Sequence, residues 1–165
     1  MNRIIILLGL VSAGFLTGCV APYRIFSDVD NSGAFESYAT YNFLDFTEGN
    51  RKTITGMELE RIKVAFAREI EQRGLRFSEE NADVSLQITV YHRQSVDHYY
   101  YQPLRYNHME RAISVDMYDN RNQKHVWHGA AVGELIYDPE ERAEKLPEVV
   151  AAIFQKYPVQ VAGEI

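Results

Sequence analysis

Cysteine is nearly missing from this chain of 165 residues: Cys19 is the single one, so no intramolecular disulfide can staple the fold. Basic charge is short as well. Seventeen Lys and Arg stand against 23 Asp and Glu, a formal net charge of −6, and no basic stripe is visible. That excludes nucleic acid as an expected partner, because phosphate binding depends on clustered cations. Proline is sparse, with five residues, and no apolar run approaches the ~18 residues of a spanning helix. What remains is ordinary: 46% hydrophobic and 24% charged, a composition that excludes a disordered or collagen-like chain. The length suits one domain.

The first residues read as an address. Arg3 gives a positive start, and Ile4 to Leu16 is almost wholly apolar. As a helix that run reaches only about 20 Å, short of a hydrocarbon core of ~30 Å. It has no polar face, so it does not suit a surface helix of a folded domain. It reads as an export signal over 1–18. Leu16–Thr17–Gly18–Cys19 resembles a bacterial lipobox, with small residues ahead of a lipid-accepting Cys19. The expected membrane partner is therefore the bilayer itself, through acyl chains on Cys19 such as palmitate; two chains make a stable anchor where one is marginal. Val20 and Ala21 follow, where Asp would suggest inner-membrane retention, so the outer membrane is expected. Residues 19–35, with Pro22, Asn31, Ser32 and Gly33, read as a lipidated tether.

Residues 36–165 read as a single domain. Aromatic and Thr residues from Tyr38 to Phe43 predict a strand, and 45–52 a loop. Thr55–Gly56–Met57–Glu58 matches a capping box, followed by Leu59, Ile62, Phe66 and Ile70 on one helical face. A helix over 55–73 is predicted, with Gly74 as its C-terminal cap. Val84, Leu86, Ile88 and Val90 alternate with polar residues, which predicts a half-buried strand. Residues 94–108 read as a long loop or ragged hairpin. Ile113, Val115 and Met117 begin a strand, 119–123 a turn, and 124–135 the returning strand. Asp138 and Pro139 open a last helix, with Pro147 as a start or kink and Pro158 as a stop. The expected class is α+β: a mainly antiparallel sheet with two helices packed on one face, a two-layer sandwich.

Ser37–Tyr38–Ala39–Thr40–Tyr41–Asn42–Phe43, Ala82–Asp83–Val84, Val126–Trp127–His128–Gly129–Ala130 and Phe154–Gln155–Lys156–Tyr157–Pro158 recur in a recognisable order. With the lipobox, they resemble the bacterial lipoprotein family carrying the domain of unknown function numbered 4136. His128 stands where that pattern leads one to expect a basic residue. The resemblance implies an extracytoplasmic α+β lipoprotein and lends no catalytic residues.

Chemistry-bearing residues are few. Of five histidines, His125 and His128 are three apart on a predicted strand and so are expected on opposite sides. His92, His98 and His108 flank the predicted loop without a fixed ligand spacing, so no metal and no cofactor is expected. No Ser sits in a strand–turn–helix elbow, and Glu140, Glu141 and Glu144 read as a helix surface, so no enzyme is expected. Tyr99, Tyr100 and Tyr101 form the oddest local composition and are the candidate partner contact, since Tyr suits recognition surfaces. The expected function is a non-catalytic, periplasm-facing envelope lipoprotein that binds an envelope protein or glycan, or is structural. A small-ligand or metal-binding lipoprotein is the alternative, and an envelope hydrolase is further off.

Overall fold

The computed structural model describes residues 23–98 and 105–161. Its strands are β1 (Tyr23–Val29), β2 (Thr40–Phe43), β3 (Arg76–Phe77), β4 (Val84–His98), β5 (Arg105–Asp119) and β6 (Lys124–Glu134). Its helices are α1 (Glu48–Thr53), α2 (Gly56–Glu71) and α3 (Pro139–Phe154), with a 3-10 turn at Phe35–Ser37. One six-stranded sheet carries them in the order β1-β6-β5-β4-β2-β3. The fold is α+β.

The sheet is mixed, which corrects the expectation of a mainly antiparallel one. β1, β6, β5 and β4 pair antiparallel, whereas β2 is parallel to both β4 and β3. The cause is the connection. After β2 the chain climbs through α1 and α2, and a helical crossover returns the next strand in the same direction. Asp83 locks this half in register. Its carboxylate accepts from the Ala39 and Thr40 amides and the Thr40 hydroxyl, at 2.9–3.0 Å, and its own amide donates back to Thr40 Oγ1. The backbone bonds hold the Asp83 carboxyl below its usual range.

α2 starts as its sequence suggests. Thr55 Oγ1 accepts from the Glu58 amide, but the Glu58 carboxylate binds Arg111 and Arg142 instead of completing a capping box. Gly74 ends the region at φ 93°, a conformation other residues rarely adopt. Asp138 caps α3 by accepting from the amides of Glu140 and Glu141, and Pro139 occupies the first turn. α3 runs through Pro147 as one helix. Residues 48–53, expected within a loop, form the short helix α1, capped by Thr47.

Two further differences concern strands. Residues 23–29, expected as tether, form the edge strand β1 against β6. Most of the expected loop over 94–108 is ladder, since β4 runs to His98 and β5 starts at Arg105.

One hydrophobic core joins the two long helices to one side-chain parity of the strands. Ile62, Phe66 and Ile70 of α2 and Val150, Ile153 and Phe154 of α3 share it with Leu86, Ile88, Val115 and Met117. Trp127 stands at its centre, with its ring 5.2 Å from Phe154 and 4.9 Å from Tyr157. Its indole donates to Ser27 on β1 at 3.0 Å. Gly129 is required beside it, because a Cβ there would lie 2.6 Å from Ile153 Cγ2 and 2.7 Å from the Trp127 ring. Both neighbours are buried and cannot retreat cheaply.

Asp119, buried at the end of β5, ties the entry segment to this core. It accepts from the Tyr38 hydroxyl at 3.0 Å and from two Arg121 nitrogens at 2.6 and 3.0 Å. The Arg121 bonds lower its carboxyl to about 2. A carboxyl depressed on folding stabilises the fold above its unfolded value, ~3.9, and loses that contribution as pH falls through about 2. Asp119→Asn is expected to cost roughly 1–3 kcal/mol at pH 7. In urea unfolding the gap to the parent should narrow steadily from pH 4 to pH 2; an unchanged gap would contradict this role.

Candidate functional site

The other parity of the strands carries the polar residues of the sheet. From β1 to β4 it presents Arg24, Phe26, Asp28, His128, Asp116 and Tyr91, among others. Phe26 and Tyr91 remain 51% and 60% exposed, as Phe77 and Tyr137 do elsewhere on the domain. At one end, Glu110 of β5 holds Arg24 of β1 at 2.7 Å and Arg93 of β4 at 2.6 Å. The two guanidiniums are solvated while Glu110 is buried, so the bridge gives that carboxylate charged partners and sets the charge at this end of the face.

The other end holds three titratable side chains drawn together by a β-bulge. Asp116 pairs with His128 and Met117 with Trp127, but Tyr118 pairs with His125, leaving Val126 as an extra residue in β6. In a regular strand, residues three apart face opposite sides. The extra residue cancels that alternation, as bulges do when they re-aim side chains. His125 and His128 therefore both reach Asp116, which corrects the expectation that they face apart. His128 Nδ1 lies 2.7 Å and His125 Nε2 3.0 Å from the same oxygen, Asp116 Oδ1. One ligand atom from each residue lies within 4.8 Å of the others. Exposure rises from 23% at Asp116 through 34% at His128 to 46% at His125. The Tyr118 ring sits 5.1 Å from His125, tilted by 33°.

A second feature lies between the helices and the sheet. Tyr23, Glu58, Arg111, Ile113, Arg142 and Leu146 are among the residues that line a mostly apolar cavity of about 40 Å³. That holds about three waters, far below the ~300 Å³ at which small-molecule sites begin. Larger hollows of 360–600 Å³ are surface grooves. In the cavity wall Glu58 accepts from Arg111 at 2.7 Å and Arg142 at 3.2 Å. Burial pushes the Glu58 carboxyl up, yet the two guanidiniums outweigh it and the net shift is downward. His92, opposite Arg111, is lowered by burial and by that same cation.

The remaining sequence candidates fare unevenly. Leu16, Thr17, Gly18 and Cys19 lie outside the described residues, as do Tyr99, Tyr100 and Tyr101. His98 and His108 fall on β4 and β5 at positions 98 and 108, and are not register partners. Asp116 was not singled out by sequence reasoning. The adjacent apolar pair Val126–Trp127, which breaks the strand's alternation, is the signal that points to the bulge.

The fold and this wet face define an α+β domain with one side of its sheet packed and the other polar. Residues 25–159 match the family described as Domain of unknown function (DUF4136), and the chain belongs to it. A DUF4136 family protein from Bacteroides thetaiotaomicron VPI-5482 has a similar structure, with TM-score 0.59, 15% identity, and 84% of this chain and 97% of that one covered. A PDZ domain protein from Parabacteroides distasonis ATCC 8503 gives TM-score 0.54 at 15% identity over 85% of this chain. The match spans only 36% of that longer protein. The PelC dodecamer from Paraburkholderia phytofirmans gives TM-score 0.50 at 12% identity, covering 80% of this chain and 94% of that one. At such identities the likeness shows the fold alone. No curated protein matches the chain.

Glu58 links α2, β5 and α3 through two partly buried guanidiniums. Glu58→Gln is expected to cost roughly 1–3 kcal/mol in urea unfolding at pH 7. The exposed neighbour Glu60→Gln should change stability by less than about 0.5 kcal/mol. Equal small effects would show that the buried arginines do not depend on this charge.

Proposed function

We propose that the chain is an envelope lipoprotein whose domain faces the periplasm and binds a partner without catalysing a reaction. The observation that carries the anchor is Leu16–Thr17–Gly18–Cys19 at the end of an apolar run, with Cys19 the sole cysteine. Export would proceed through 1–18, and the mature chain would begin at the lipid-bearing Cys19. Val20 and Ala21 after that residue favour the outer membrane. β1 begins at Tyr23, so at most about 15 Å of chain separates the lipid from the sheet edge. That is far less reach than a tether to residue 35 would allow. The domain would sit close to the bilayer.

The packing supports a two-layer reading, helices on one side of the sheet and the Phe26–Tyr91 face on the other. The exposed rings and the flanking Arg24 and Arg93 suit recognition of an envelope protein or glycan, because aromatics and arginine give contact area with directed hydrogen bonds. The 40 Å³ size of the cavity between helices and sheet favours this over a small-ligand site there.

Two measurements check the reading. Cys19→Ser should abolish labelling by radioactive palmitate and move the protein out of the membrane fraction; unchanged labelling and partitioning would contradict the anchor. A photo-crosslinking residue at Phe26 or Tyr91 should capture a partner in intact cells, and one at the exposed Val64 on α2 should not. Capture from Val64 alone would move the contact to the helical side.

A further inference from the structure

We propose that Asp116, His125 and His128 form a binding site for a divalent transition-metal ion of the zinc, copper and nickel group. Three observations converge. The donor set is two imidazoles and one carboxylate, the mixture these borderline ions favour over purely oxygen ligands. The three side chains stand on two adjacent paired strands, β5 and β6, whose register is fixed by ladder bonds on both sides of the bulge. And both imidazoles already point a ring nitrogen at one carboxylate oxygen, at 2.7 and 3.0 Å.

The geometry needs little adjustment. Ligand atoms at ~2.0–2.2 Å from a tetrahedral zinc lie about 3.2–3.6 Å from one another. The two His–Asp distances would open by about half an ångström, and the separation of the two imidazole nitrogens, at most 4.8 Å, would close where it exceeds that range. The exposed His125 and the half-buried Asp116 and His128 can supply these movements by side-chain rotation while the backbone ladder stays still. A metal would take the lone pairs of the nitrogens that now stand beside Asp116, Nδ1 of His128 and Nε2 of His125, with the other nitrogen of each ring carrying the proton. The Tyr118 ring lies beside His125, and Asp28 is the β1 register partner of His128.

His92 is the internal control. It belongs to the opposite side-chain parity, beside Arg111, whose cation repels a metal ion. The site is also independent of the anchor and of any partner, so its failure would leave the lipoprotein reading standing.

The test is a zinc titration of the full lipidated chain in detergent, read by calorimetry and by the nitrogen-15 resonances of the histidine rings. Saturation at one equivalent is expected, with the His125 and His128 ring signals shifting and the His92 signal unmoved. Asp116→Asn and His128→Gln should each weaken zinc binding by about tenfold or more, while His92→Gln leaves it unchanged. Should a variant fail to fold, the ring signals of the parent protein decide alone. Absence of saturable uptake, shifts confined to other histidines, or undiminished binding by folded variants would overturn the site.

Discussion

The bulge at Val126 is the constraint on which the two faces of this domain depend. On one side of it Trp127 turns into the core, against Phe154 and Tyr157, and bonds Ser27 of β1. On the other, His125 and His128 share Asp116. The Val126 carbonyl also accepts from the Asp30 amide where β1 ends, so the irregularity is hydrogen-bonded and not frayed. A regular strand over the same residues would pass His125 and His128 to opposite sides and could not serve both. Gly129 belongs to the same arrangement, since the close approach of Ile153 and the indole leaves no space for a side chain.

Two buried or half-buried carboxylates hold the rest to this hairpin. Asp83 clasps Thr40 and fixes β2 parallel to β4. Asp119 takes the Tyr38 hydroxyl and Arg121 and seats the segment ahead of β2. Each replaces lost hydration with directed, charge-assisted bonds, which is the condition for keeping a carboxylate beside a core. They also give a physical reason for the sequence patterns around 37–43 and 82–84: the spacing brings a donor pair to an acceptor across the parallel crossover.

Much of the fold was legible where periodicity and caps agree. Leu59, Ile62, Phe66 and Ile70 are buried on α2, and Asp138 with Pro139 starts α3. The alternation of Val84 to Val90 was equally direct. The failures have local causes. β1 was hidden because Phe26 is apolar on the wet face and Ser27 is polar on the side of Trp127. The parallel pairing was missed because β2 has four residues and β3 two, too short to show a crossover by pattern. The histidine cluster was missed because a bulge changes facing without changing composition. Of the site residues singled out in the sequence, Cys19 and Tyr99–Tyr101 fall outside the described residues, so the candidate site rests on groups that only the strand register brings together.

Membership of a family of unknown function assigns no activity, and the wet sheet face is what this chain adds to the question. The most direct measurement is a crystal soaked in zinc and recorded on both sides of the zinc absorption edge. The account predicts a single strong anomalous peak about 2.0–2.2 Å from Asp116 Oδ1, His125 Nε2 and His128 Nδ1. A crystal in which that point stays empty while zinc occupies other residues would contradict it.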